Sequence, residues 1–120
     1  TGREKSETGY ALKMLGLSHI DKKLIQYSDN ILPDKPHPAK IVQILINSGG
    51  SSALYIGDSI DDYFTVNNYI RNELEIPLRF GLVTDKKENF PEDARIFHAG
   101  SVNHLLGFVL DYNCQNSETY

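Results

Sequence analysis

The segment Leu54-Tyr55-Ile56-Gly57-Asp58-Ser59-Ile60-Asp61-Asp62 constrains this chain most. An apolar run stops at a glycine and gives way to three carboxylates within five residues, and a stretch with helical periodicity follows. A strand of this kind ends at the glycine and delivers its carboxylates to the carboxyl edge of a sheet, where open α/β proteins place their sites. Acidic side chains this close repel one another unless a cation or a proton sits between them. The economical reading is a divalent metal site at the end of a buried strand.

The rest of the chain supplies strands and helices in alternation. Glu4 to Leu15 reads as a helix with Ala11, Leu12 and Leu15 on one face and Gly16 as its stop. Leu24 to Tyr27 is a short strand candidate, and Ser28 to His37 is a loop rich in Asp, Asn and Pro. A second helix starts at Pro38, a favoured first-turn residue. Its spacing buries Ile41, Val42, Leu45 and Ile46 and turns Lys40, Gln43 and Asn47 outward; Gly49-Gly50-Ser51-Ser52 ends it. Ala53 to Ile56 is the strand before the acidic cluster. Asp61 to Leu74 is a third helix, with Tyr63, Val66 and Ile70 inward. Leu78 to Val83 and Ala94 to Ala99 are further strands, and Ser101 caps a last helix with the stripe Val102, Leu105, Leu106 and Val109. Residues beyond Tyr112 are polar and expected to fray. Strands alternating with helices imply an α/β fold, a Rossmann-like parallel sheet with helices on both faces.

Composition narrows the function classes. The formal net charge of -4 argues against nucleic-acid or anionic-membrane partners. No apolar run approaches a bilayer span, and no signal peptide is recognisable. With Cys114 the one cysteine, an internal disulfide and a thiolate zinc site are excluded, and a reducing, cytoplasmic setting fits. The histidines His19, His37, His98 and His104 lack ligand spacing. Tyr10, Tyr63, Tyr69 and Phe80 fit core or amphipathic packing, and Lys86-Lys87 reads as an exposed pair.

Three local features fall where an α/β site assembles: Thr1-Gly2-Arg3, Lys35-Pro36-His37-Pro38, and Gly57 to Asp62. In this order and at this spacing they resemble the haloacid dehalogenase superfamily of phosphohydrolases, in particular its subfamily I-like members whose second motif reads Thr-Gly-Arg. The family's third motif is a lysine, often in Lys-Pro-x-Pro, matched by Lys35 to Pro38. Its fourth is Gly-Asp-Ser/Thr-x-x-Asp after an apolar strand, matched by Gly57 to Asp62. The similarity runs from Thr1 to about Leu110.

The resemblance implies hydrolysis of a small phosphorylated metabolite through an aspartyl-phosphate, with Mg2+ offsetting the repulsion between an anionic nucleophile and an anionic substrate. It implies that Asp58 contacts the magnesium directly or through water and that Asp62 supports the same site. Lys35 becomes the fixed cation beside nucleophile and phosphate. Thr1, with Gly2, donates hydrogen bonds to phosphate oxygens. Blander readings stand beside these. Thr1-x-x-Glu4 and Ser59-x-x-Asp62 are also capping boxes, a lysine in a Pro-rich loop is usually solvated, and Asp61 reads as solvent-facing.

The departures are as informative. The family's nucleophile motif, Asp-x-Asp-x-Thr, precedes its second motif, and no Asp-x-Asp occurs in these 120 residues. In the family's strand order, 3-2-1-4-5, Leu24 to Tyr27 is strand 3 and the two central strands are missing. The expectation is therefore the C-terminal portion of a longer hydrolase, inactive by itself. Residues 1–112 would belong to the core domain and 113–120 to a polar tail. Such an incomplete sheet exposes edges through which the chain could associate. The helix after the fourth motif is bulkier than usual at Thr65 to Tyr69, Arg71 to Pro77 lengthens the connection, and no cap domain is identifiable. Two other classes remain: a non-catalytic module of the same fold that acts with a partner chain, and a response-regulator-like phosphoacceptor. The latter lacks an N-terminal acidic pocket and has its lysine before, not after, Asp58.

Overall fold

A computed structural model describes residues 1–71 and 75–117, with side chains through residue 111. Its elements are α1 (Lys5–Met14), α2 (Ala39–Ser48), β1 (Ala53–Gly57), α3 (Ile60–Arg71), β2 (Leu78–Val83), β3 (Ile96–Ala99) and α4 (Val102–Ser117), with short 3-10 turns at Lys22–Leu24 and Lys87–Asn89. The three strands form one parallel sheet in the order β1-β2-β3. The fold is mixed α/β: each pair of adjacent strands is parallel, and α3 carries the chain from β1 to β2. Among the described residues no helix is long and apolar enough to cross a membrane.

The sheet's two faces follow from strand periodicity. Leu78, Phe80 and Leu82 of β2 point one way, into a core shared with Leu45 of α2 and with Val66 and Tyr69 of α3. The Tyr55 and Tyr63 rings pack around Phe80, at centroid separations of 6.1 and 6.4 Å. On the opposite face Gly81 meets Leu105 of α4 so closely that a Cβ at position 81 would lie 2.5 Å from a Leu105 methyl carbon. Glycine there lets α4 approach the sheet.

The helix stops match their sequence signals. Gly16, at φ 69°, closes α1 with a hydrogen bond from Leu17 N to Leu12 O of 2.8 Å, a Schellman arrangement. Gly49, at φ 67°, ends α2.

Five expectations are corrected. Leu24 to Tyr27 is not a strand: it begins in a 3-10 turn and joins no ladder. Its backbone bonds instead to the chain start, through Thr1 N to Gln26 O (3.0 Å) and Ser28 N to Arg3 O (2.9 Å). Helix α2 is rolled from its expected setting, with Ile46 64% exposed and Lys40 buried. The cause is the segment before it, which covers the flank assigned to solvent; Asn47 donates to Lys23 O at 2.8 Å. Leu15, Tyr10 and Met14 are exposed on α1. In α4 only Leu105 of the apolar stripe is fully buried, and Val102 and Leu106 remain nearly half exposed because that helix lies over β2 and β3. The helix also continues through residues 113–117, beyond Tyr112, where fraying was expected. Leu74, the expected end of α3, lies outside the described residues.

β1 is an edge strand. Ala53 N donates to Pro77 O at 2.9 Å, so alternation along a parallel ladder turns Ala53, Tyr55 and Gly57 toward β2. The backbone groups of Leu54 and Ile56 point outward, with no strand beside them among the described residues.

Candidate functional site

Gly57 ends β1, and the chain turns straight into α3, so position 62 falls in the helix's first turn. Asp62 folds back over the turn it follows. Its Oδ2 accepts from Asp58 N (3.1 Å), Ser59 N (3.1 Å) and Ser59 Oγ (2.9 Å), while Asp62 N donates to Ser59 Oγ at 3.3 Å. This is the reciprocal capping box that Ser59-x-x-Asp62 encodes. The fit is tight: a Cβ at Gly57 would sit 2.4 Å from Asp62 Oδ2.

The other carboxylate oxygen faces the sheet's carboxyl end. Asp62 Oδ1 accepts from Lys35 Nζ at 2.6 Å, across 27 residues of sequence, and from the Tyr55 hydroxyl at 2.8 Å. The Asp62 side chain is 4% exposed and the Lys35 side chain 37%. Burial alone would raise the carboxyl's pKa. The hydrogen bonds from Lys35, Tyr55 and Ser59 outweigh burial, and Asp62 is held below the usual carboxylate range, ionised at neutral pH. Burial, then the bond to Asp62, raises the Tyr55 hydroxyl, which stays a protonated donor. The lysine in the Pro-rich loop is therefore not a freely solvated one. Its loop is fixed further by Asn68 Nδ2 donating to Pro36 O at 2.9 Å and by His37 Nδ1 accepting from Ala39 N at 3.1 Å, ahead of α2.

A cavity of about 350 Å³ lies beside this pair and gathers the motifs. Thr1, Gly2, Lys35, Tyr55, Ser59 and Asp61 all line it. Thr1 does not cap α1, whose N-cap is Glu4 without a side-chain bond. Thr1 Oγ1 accepts from Arg3 N at 3.1 Å in a tight turn, which leaves its hydroxyl hydrogen available as a donor. A larger cavity, about 700 Å³, lies under the connection between β2 and β3 and contains none of the motif residues.

Chemically, the 350 Å³ cavity sets the Lys35 and Lys40 side chains, the Thr1 hydroxyl and a glycine backbone beside the Asp34 and Asp61 carboxylates, and its donors are of the kind that bind an anion. Compared with family models, curated proteins and solved structures, the chain matches none. The reading of the site therefore rests on its own residues.

The donor set can be tested against a divalent cation. Among the described residues no group of three or more His, Cys, Asp or Glu converges on one point. Both oxygens of Asp62 are committed to protein donors, two on Oδ1 and three on Oδ2. Asp62 thus holds the turn and Lys35 and has no lone pair left to coordinate. Asp58 differs: it is exposed at the end of β1, outside the cavity lining, and only its backbone N–H is engaged among the hydrogen bonds of the site. A single hard carboxylate fits magnesium, which keeps most of its waters and takes further ligands from substrate phosphate. Of the sequence-predicted residues, the fold brings together Thr1, Gly2, Lys35 and Asp62, with Asp58 one residue beyond the strand end.

Two participants were not legible beforehand. The alternation along β1 places Tyr55 on the core face but says nothing of its hydroxyl. Lys40, assigned to solvent by helical periodicity, is buried against Asp34 and the Tyr27 carbonyl. The one hint was its lysine-rich neighbourhood, Lys35 and Lys40 flanking the two prolines.

Proposed function

We propose that this chain supplies the phosphate-holding and metal-supporting part of a haloacid dehalogenase-like, magnesium-dependent phosphohydrolase of Rossmann-like fold. Its substrate class would be a small phosphorylated metabolite in a cytoplasmic setting. The observation that carries the reading is the Lys35–Asp62 pair at 2.6 Å. It joins the third and fourth motifs at the carboxyl end of β1, next to a cavity that also holds Thr1 and Gly2.

Each residue has a definite task. The Lys35 ammonium, aimed by Asp62, draws a phosphoryl group to the cavity and neutralises part of its charge. Thr1 donates its hydroxyl hydrogen to a phosphate oxygen, and Gly2 lets the backbone approach without a side chain in the way. Asp58 is the residue that would hold magnesium; the bound ion would offset charge between phosphate and nucleophile. The nucleophile itself must come from outside these residues, since no Asp-x-Asp occurs among them.

The decisive experiment is turnover of an aryl phosphate by a longer chain that includes the sequence upstream of Thr1. Magnesium-dependent release of the phenol should vanish in Asp58→Asn and fall at least tenfold in Lys35→Ala, and the 120-residue chain alone should stay at blank. Undiminished turnover in both variants would overturn these roles.

A second reading, a non-catalytic module that pairs with a partner chain, is favoured by one specific feature. Among the described residues no strand pairs with the outer edge of β1, and Ile56 of that strand is 41% exposed. Strand addition to such an edge supplies main-chain hydrogen bonds without any chemistry. Under this reading, association would be abolished by Ile56→Lys, and phosphate binding would be absent.

A further inference from the structure

Lys40 has no part in the motifs, and its placement is costly. It sits in the first turn of α2, where a cation opposes the helix dipole, and its side chain is only 11% exposed. A lysine in that position would ordinarily be turned to water. Here the ammonium donates to two acceptors that come from opposite ends of one loop: the Tyr27 carbonyl and the Asp34 carboxylate. Asp34 is held from a third side, by Ser28 Oγ at 2.9 Å.

Each end of that loop leads directly to a residue of the candidate site. Tyr27 lies between Gln26, whose carbonyl accepts from Thr1 N, and Ser28, whose N–H donates to Arg3 O. Asp34 immediately precedes Lys35, and its carbonyl accepts from His37 N at 3.1 Å. The same ammonium therefore ties the backbone that carries Thr1 and Gly2 to the backbone that carries Lys35. Lys40 itself lines the cavity between them.

We propose that Lys40, acting through Asp34, is a positioning residue that sets the spacing between the Thr1-Gly2 turn and the Lys35 ammonium, and so tunes the cavity for a tetrahedral oxyanion. The inference rests on the reading of this cavity as an anion site. It assigns Lys40 no contact with the reacting atoms: two of its three N–H bonds are spent on the loop.

The probe is inorganic phosphate, titrated into the 120-residue chain with amide NMR shifts as the readout. Lys35→Met tests the cavity as an anion site and should weaken phosphate at least tenfold. Asp34→Asn tests the positioning. If charge alone mattered, removing a carboxylate near the cavity would tighten phosphate binding. If Asp34 serves as the loop's anchor, losing its charge-assisted bond to Lys40 weakens phosphate about five- to tenfold. Lys40→Met should weaken binding by at least as much, and Lys40→Arg, which can reach both acceptors, should stay within about threefold of the unaltered chain. Tighter or unchanged binding in Asp34→Asn, with Lys35→Met still impaired, overturns the positioning role and leaves the anion site standing. No phosphate binding by the unaltered chain overturns both. Asp34→Asn is isosteric at a half-exposed side chain, so it decides the matter even where Lys40→Met does not fold.

Discussion

Replacing Asp62 with asparagine removes one charge and almost no volume, and the expected cost can be worked from the donors it faces. The carboxylate accepts three bonds on Oδ2 from Asp58 N, Ser59 N and Ser59 Oγ, and two on Oδ1 from Lys35 Nζ and Tyr55 OH. An amide must present its NH2 on one side. Facing the turn it would meet two backbone N–H groups that cannot accept, so the amide oxygen keeps that side and the capping box survives. The NH2 then points at Lys35 and Tyr55. Tyr55 can rotate its hydroxyl to accept, but the ammonium cannot. The loss is thus one charge-assisted hydrogen bond, about 1.5–3 kcal/mol, plus a donor–donor contact. Lys35 is 37% exposed and can turn toward water, which keeps the total below the 3–5 kcal/mol of a fully buried broken pair. A net loss of about 2–3 kcal/mol follows. Urea unfolding followed by circular dichroism reads it as a midpoint drop of about 0.7–3 M at an unchanged slope, for a slope of about 1–3 kcal/mol per molar. Lys35→Met, combined with Asp62→Asn in a double-mutant cycle, should recover most of the loss as coupling. A single-variant loss below about 0.5 kcal/mol, or additive losses in the cycle, would refute the claim that this pair organises the site.

Three further expectations use the same geometry. Gly57→Ala places a Cβ 2.4 Å from Asp62 Oδ2; the overpacking should cost about 1–3 kcal/mol in the same urea assay, and a neutral result would mean that the turn relaxes freely. Asp58→Asn should change stability by less than about 0.5 kcal/mol yet abolish the broadening of Gly57 to Ser59 amide signals by added Mn2+; persistent broadening would place the cation elsewhere. Acid should unfold the chain in a window set in part by two of its three depressed carboxyls, Asp62 and Asp93, the third being Asp34. The hydrogen bond from Arg95 holds Asp93 down to about 2, and Asp62 also lies below its usual 3.8. Both contributions are fully present above the unfolded pKa near 4 and are lost as the pH falls through the folded values. Asp93→Asn should therefore lower stability at pH 6 and flatten its decline between pH 4 and 2, followed by denaturant midpoints; an unaltered decline would exclude the Asp93–Arg95 pair as its source.

How much of this was legible follows the range of the interactions. β2 was placed from Leu78 to Val83 to the residue, because an apolar run bounded by Pro77 and polar loop residues encodes a buried strand locally. The Ser59–Asp62 capping box was equally readable, since its partners lie within one helical turn. Leu24 to Tyr27 failed for the opposite reason. Its composition suits a strand, but a strand needs a neighbour, and the backbone groups available nearby belong to the Thr1–Arg3 turn. Lys40 failed similarly: helical periodicity predicts which residues share a face and not which face another loop will cover. The resemblance put Lys35 and Asp62 in one site without pairing them, as nothing in either local segment announces a contact 27 residues long.

These limits bear on how the site should be understood. Its polar residues fall into two groups with opposite connectivity. Asp62, Tyr55 and Ser59 exchange hydrogen bonds almost wholly among themselves and with Lys35, on the rigid junction of β1 and α3. Thr1 and Gly2 reach that junction through a loop with no strand to brace it, held by Gln26, Tyr27, Asp34 and Lys40. A tetrahedral anion bridging Thr1 and Lys35 would couple the two groups and should rigidify the loop far more than the junction.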